Sequence, residues 1–212
     1  MTPTVVFDLD KVLLGGDAST LFLRGHLRSH RRRALLLLLA APLLLALATL
    51  PQSRPLGARL MTRVAVGGPA DTDVDDVASA YRSALAVKPE AAVAEAIACV
   101  RAHQRAGDTV VVATGCEEIL ARGFLAAIGL GDLDVIGSQA TVPVRRAMGE
   151  SKVTMLTDRG YPPPWAAAYS DSPSDIPLFA GTPRPVLVNA DEAAARQVER
   201  TLGRRPETRT WR

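Results

Sequence analysis

The chain has 212 residues, 48% of them apolar and 22% charged, with no repeat or low-complexity tail. This excludes a disordered chain, a collagen-like fibre and a coiled coil, and its two cysteines, Cys99 and Cys116, exclude a disulfide scaffold and a thiolate zinc site. The formal charge is +3, but residues 18–70 hold no acid and eight arginines, so the remaining 17 basic and 22 acidic groups leave the rest of the chain at −5.

A localised basic segment on an acidic chain points to an anionic partner for that segment, and not to a nucleic-acid-binding surface. The opening residues, MTPTVVFDLD, carry no basic region, apolar stretch and small-residue cleavage site in series. A cytoplasmic or cytosol-facing protein is the expectation.

Residues 4–7 form a short apolar run ending in Asp-Leu-Asp, which reads as a buried strand closed by carboxylates. Similar runs recur at 109–113, 133–137, 166–170 and 185–189. Helical patterns lie between them: 89–104 stops before Gly107, 117–128 stops at Gly129, and 191–202 stops at Gly203. Strands alternating with helices of this length predict an α/β fold built on a parallel sheet. Ligands of such sheets sit at the carboxyl ends of the strands, where three runs end in Asp8, Thr114 and Asp171. Residues 15–88 interrupt the pattern. They show no clear strand, and the periodic stretches 20–33, 56–66 and 74–87 predict an inserted helical cap. The basic tail 204–212 reads as mobile.

Four short motifs carry chemistry. In FDLDKVL, residues 7–13, Asp8 and Asp10 can face one cavity as nucleophile or metal ligand and as acid/base, although Asp-x-Asp also occurs in ordinary turns. VVVATG, residues 110–115, ends in Thr114 and Gly115, which suits either a phosphate oxygen or a helix cap. GESK, residues 149–152, brings Lys152 near a helix start; a lone lysine there is otherwise a solvated one. YSDSPSD, residues 169–175, puts Asp171 at a strand end and Asp175 four residues on, a pattern shared with a capped helix start.

In this order and spacing the four motifs resemble the haloacid dehalogenase superfamily over nearly the whole chain. GGDAS at 15–19, a helical cap between the first and second motifs and SDSPSDIPLF at 170–179 are similar to the subgroup containing phosphoserine phosphatase. Within it, the leucine-rich stretch after a basic helix, the SDS form of the fourth motif and IGSQ at 136–139 are closest in pattern to phosphatidylglycerophosphatase C, a membrane lipid phosphatase.

The resemblance implies a Rossmann-like core of residues 1–14 and 89–212, with the cap at 15–88. It also implies that Asp8 attacks phosphorus to form an aspartyl-phosphate, and that Asp10 protonates the leaving oxygen and then activates water. Thr114 and Gly115 would hold the phosphoryl oxygens together with Lys152, which also offsets charge on the nucleophile. Mg²⁺ would sit between Asp8, Asp171 and the backbone carbonyl of Asp10. Asp175 would orient Lys152 or a water on the metal. Two positions depart from the pattern: Lys11 stands where Gly is usual and Val12 where Thr is common. A lysine in that turn would change the loop or bring a cation beside the phosphate.

Residues 34–53 contain no charge and ten leucines, with Pro42 in the middle and Arg31 to Arg33 just before. A helix apolar on all faces is enclosed by protein or by lipid. One membrane crossing would part Asp8 from Thr114, Lys152 and Asp171, so crossings number zero or two. Pro42 favours a bend, and two half-helices, 35–41 and 43–50, would form a shallow hairpin with the arginines at anionic headgroups. The alternative is the buried centre of the cap. His26 and His30, four residues apart among arginines, read as solvated or headgroup-facing and not as metal ligands. Cys116 needs no nucleophilic role, and Trp165 reads as a packing residue.

Together these features predict a Mg²⁺-dependent phosphomonoesterase, peripheral or monotopic at the inner face of the cell membrane, acting on a lipid headgroup phosphate such as phosphatidylglycerophosphate. The alternatives are a soluble small-metabolite phosphatase and a non-catalytic, membrane-associated binding protein with Lys11 in the phosphate site.

Overall fold

A computed structural model describes residues 2–30, 32, 35, 36, 39–43, 46, 73–139 and 146–212. Its centre is a six-stranded parallel sheet of β1 (Thr4–Phe7), β2 (Thr109–Glu117), β3 (Asp134–Ser138), β4 (Ala167–Ser170), β5 (Pro185–Val188) and β6 (Glu207–Arg209). Their order is β3-β2-β1-β4-β5-β6. Alternate residues of the inner strands feed two cores. Val5, Phe7, Val110 and Val112 join one, and Val6, Val111 and Ala113 the other. A strand covered on both faces must be apolar at every position, which is why these strands read as continuous runs.

α1 (Ala18–Ser29) and α2 (Val74–Leu85) pack on each other and on the helix that follows β2; the first face of the sheet carries α3 (Ala94–Arg105) and α4 (Glu118–Ala127), and α5 (Glu150–Asp158), α6 (Ile176–Ala180) and α7 (Glu192–Leu202) complete the layers. Asp17 caps α1 by accepting the Thr20 N–H at 2.8 Å. The cap helices pack tightly: a Cβ at Gly25 would lie 1.8 Å from the Ala80 carbonyl oxygen, so α1 and α2 touch backbone to backbone. Phe22, Tyr81 and Phe124 meet in series, tilted and then edge to face, with centroids 5.7 and 5.4 Å apart, and tie both helices to α4 beneath.

Three expectations need correction. Residues 89–104 are not one helix. A 3₁₀ turn, Pro89–Ala91, is followed by extended residues and then by α3. Val93 donates to the Leu13 carbonyl at 3.0 Å and Gly15 to that of Ala91 at 2.8 Å, so the two chain crossings between sheet and cap helices lie side by side. The tail is ordered, because β6 pairs with β5 and Trp211 is buried against Tyr169. His26 is buried, not solvated, and stacks between Phe22 and His30. It falls on the same helical stripe as Ala18, Leu21, Phe22 and Gly25, and stripe position outweighs residue type.

The helix expected at 56–66 and most of the apolar stretch 34–53 lie outside the described residues. Those described within it are helical, including Pro42, and Leu35, Leu36, Leu39 and Leu43 are each more than half exposed. Among the described residues no helix is long and apolar enough to cross a membrane.

Candidate active site

Register places the four motifs at one end of the sheet. Phe7 lies opposite Val112 on β2 and Tyr169 on β4, so Asp8, Thr114 and Asp171 all follow within two residues of that level. Asp8 is held by its own backbone, its N–H donating to the Tyr169 carbonyl at 2.8 Å. Beyond it the strand ends in a turn, because the Leu9 carbonyl accepts from Val12, Leu13 and Leu14. Leu9 itself is buried in the core, leaving the carboxylates on either side of it to share one cavity.

Asp8 Oδ1 accepts the Leu9 N–H at 2.8 Å and lies 3.5 Å from Lys152 Nζ. No described residue hydrogen-bonds to its other oxygen. Lys152, on the first turn of α5, is no solvated lysine: it is 2% exposed and donates to Asp175 Oδ2 at 2.8 Å. Ser170, which sequence reasoning passed over, donates to the same oxygen at 2.7 Å and so fixes Asp175 from the end of β4. Its only signal is a hydroxyl ending a buried run. Asp175 stands at the N-cap position of α6, but its side chain makes no capping bond there; the 3₁₀ turn Pro173–Asp175 is capped by Ser172.

Burial pushes the Asp8 carboxyl up to about 7, with Asp175 adding to the rise and Lys152 opposing it. Asp10 rises to about 6, again chiefly by burial, with Asp17 and Asp171 adding and the Ala18 N–H, 2.9 Å from its Oδ1, opposing. Burial disfavours the Lys152 ammonium, but Asp8 and Asp175 outweigh it and hold its pKa above the usual lysine value. The site therefore sets two carboxyl groups able to hold a proton near neutrality, Asp8 and Asp10, beside a fixed ammonium.

Thr114 is buried within β2, which runs four residues past its expected end at Ala113. Its Oγ1 accepts the Cys116 N–H at 3.0 Å, leaving the hydroxyl hydrogen to donate elsewhere. Gly115 is exposed beside it, and its carbonyl accepts from Ser138 Oγ at 2.8 Å, so β3 braces this loop. Asp171 meets Lys11: Nζ lies 3.4 Å from Oδ2. The structure thus brings Asp8, Lys152 and Asp175 into contact, sets Asp10 beside them, and lines Thr114, Gly115 and Asp171 along the same edge.

Among the described residues no three His, Cys, Asp or Glu side chains converge as a closed metal site. The oxygen donors present, carboxylates of Asp8 and Asp171 and the Asp10 carbonyl, suit a hard cation that keeps part of its water shell, as Mg²⁺ does.

Comparison with known proteins bears on the fold and the family. A Bordetella pertussis Tohama I protein of unknown function is 21% identical, with 98% of this chain and 99% of that chain covered and a TM-score of 0.64. A phospho-aspartyl intermediate analogue of phosphoserine phosphatase is 14% identical, with 99% and 93% covered and a TM-score of 0.52. A phosphoserine phosphohydrolase-like protein from Francisella tularensis subsp. tularensis SCHU S4 is 10% identical, with 97% and 94% covered and a TM-score of 0.53. None of the curated proteins matches in sequence. At these identities the likeness is one of fold. The model for haloacid dehalogenase-like hydrolases, however, matches residues 5–180, spanning all four motifs, and the chain belongs to that family.

Proposed function

We propose that this hydrolase is a Mg²⁺-dependent phosphomonoesterase working through an aspartyl-phosphate on Asp8. The observation that carries the reading is the buried Lys152 held between Asp8 and Asp175 at the carboxyl end of the central strand. A carboxylate attacking an anionic monoester meets like charge, and a desolvated ammonium beside it offsets that repulsion.

Asp8 attacks phosphorus, and the bond from phosphorus to the ester oxygen breaks as the Asp10 carboxyl donates its proton to that oxygen. Asp10, now a carboxylate, takes a proton from the water that attacks the aspartyl-phosphate, which releases inorganic phosphate and restores Asp8. A carboxyl raised to about 6 serves both directions of transfer near neutral pH. Thr114 and the Gly115 backbone hold phosphoryl oxygens, and Asp175, itself fixed by Ser170, keeps Lys152 aimed. Asp8, Asp171 and the Asp10 carbonyl would hold Mg²⁺, which supplies further charge neutralisation at the phosphate. Turnover of a generic aryl phosphate should require Mg²⁺, stop on adding chelator and return on adding metal. No turnover under any of these conditions would leave the non-catalytic binding reading standing.

For the substrate, the exposed leucines favour a lipid headgroup phosphate over a soluble metabolite. Leu35, Leu36, Leu39 and Leu43 present apolar surface to solvent in a segment whose charged residues are all arginines, and an anionic bilayer satisfies both features. Burying a leucine contributes up to about 1.5–3 kcal/mol. Serine at all four positions should therefore weaken binding to phosphatidylglycerol vesicles by ~100-fold or more in a co-sedimentation assay, with aryl phosphate turnover retained. Wild-type protein that ignores such vesicles would move the small-metabolite reading ahead.

A further inference from the structure

Lys11 follows Asp10 with φ at 57°, backbone that glycine adopts freely and lysine rarely does. Two clamps hold it there. Its N–H donates to the Gly16 carbonyl at 3.4 Å, and its carbonyl accepts from Asn189 Nδ2 at 3.2 Å. Asn189, at φ 52°, is the other described non-glycine residue in this region. It is fixed in turn by its N–H to the Arg209 carbonyl and by the Trp211 N–H to its Oδ1, both 2.8 Å. The end of the sheet thus over-determines a strained turn, and such strain is a feature of functional loops.

The turn directs the Lys11 side chain towards Asp171. Its Nζ lies 3.4 Å from Asp171 Oδ2, with the lysine 70% exposed and the aspartate 16%. Lys152 is committed to Asp8 and Asp175. The carboxylates are therefore divided between two lysines, and the exposed one covers an oxygen of Asp171.

We propose that Lys11 is an internal competitor for the divalent cation, its ammonium holding the Asp171 charge in the metal-free protein and leaving that oxygen when Mg²⁺ binds. The inference rests on the reading of Asp171 as a metal ligand. The long, exposed lysine stem lets the ammonium move off into solvent without disturbing the turn. An exposed ion pair is individually weak, so the competition tunes metal affinity and does not block it.

The test is calorimetric titration of Mg²⁺ into chelator-stripped protein: wild type, Lys11→Met, Lys11→Gly and Asp171→Asn. Lys11→Met removes the charge and keeps the stem. Lys11→Gly also relieves the positive φ, so one folded variant is assured. Both should bind Mg²⁺ about three- to tenfold more tightly than wild type at low salt. The gap should shrink in about 0.5 M salt, where screening weakens the ammonium. Asp171→Asn should lose binding. Unchanged or weaker affinity in both Lys11 variants, with binding still lost in Asp171→Asn, overturns the role of Lys11 and spares the metal site. Wild type that binds no Mg²⁺, or Asp171→Asn that binds like wild type, overturns both.

Discussion

Asp8→Asn is expected to lower kcat by ~10³-fold or more, about 4 kcal/mol of barrier, without unfolding the protein. The amide keeps the size and the Leu9 contact but cannot attack phosphorus, and it removes one charge from the proposed metal site. Its effect on stability runs the other way. Asp8 has its carboxyl raised from 3.8 to about 7, so the native state holds this proton more tightly than the unfolded chain does. In the metal-free wild type the resulting stability is complete below about pH 4 and is lost as pH rises through about 7. Asparagine does not titrate, so at pH 8 the variant should melt at or above the wild-type temperature in the presence of chelator. Single-turnover assays and thermal melts on one deamidation-free sample check both halves. Hydrolysis near the wild-type rate would contradict the covalent mechanism.

Lys152→Met should damage both catalysis and folding, which separates it from Asp8→Asn. Removing the ammonium leaves Asp8 and Asp175 buried without their cation, and loss of one partner of a buried pair costs about 3–5 kcal/mol. The loss should be largest at pH 8 and smaller at pH 5. Lys152 favours the ionised form of Asp8, a form that prevails only above about pH 7, and at pH 5 the carboxyl is already protonated. Activity of whatever folds should fall by about 10²- to 10³-fold through lost charge stabilisation. Chemical denaturation at the two pH values is the decisive measurement; equal losses at both would mean that Lys152 acts by packing alone.

The legible parts of the molecule were those where one local pattern had one physical cause. β1 and β5 appear as apolar runs because both faces of the sheet are covered, and Gly203 ends α7 by taking the left-handed cap position. Asp8, Asp10 and Asp171 could be placed because strand ends announce themselves, whereas Thr114 lies within a strand that runs on to Glu117. What escaped was set by distant partners. β6, Glu-Thr-Arg, is a short polar edge strand with no periodicity to read. Its order comes from pairing with β5 and from Trp211, the lone large aromatic in that tail and the signal that should have been weighed. Lys11 and Asp171 are 160 positions apart, and the Asn189 clamp on that turn is further still. Ser170 was visible as a residue but not as a donor, since its partner is fixed only by the turn that returns Asp175 towards it.

The place of β1 has a consequence for how the chain is made. It precedes every other described strand of the sheet in the sequence, yet it lies between β2, which begins at Thr109, and β4, which begins at Ala167. At about 5–20 residues per second, about 5 to 30 seconds separate the emergence of its two neighbours from its own. Throughout that interval Val5, Val6 and Phe7 expose apolar side chains and open hydrogen-bonding edges at the ribosome, a surface that holding chaperones recognise. Asp8 is thus made well before the strands that flank it. Nascent chains stalled before residue 170 should carry Asp8 without a site.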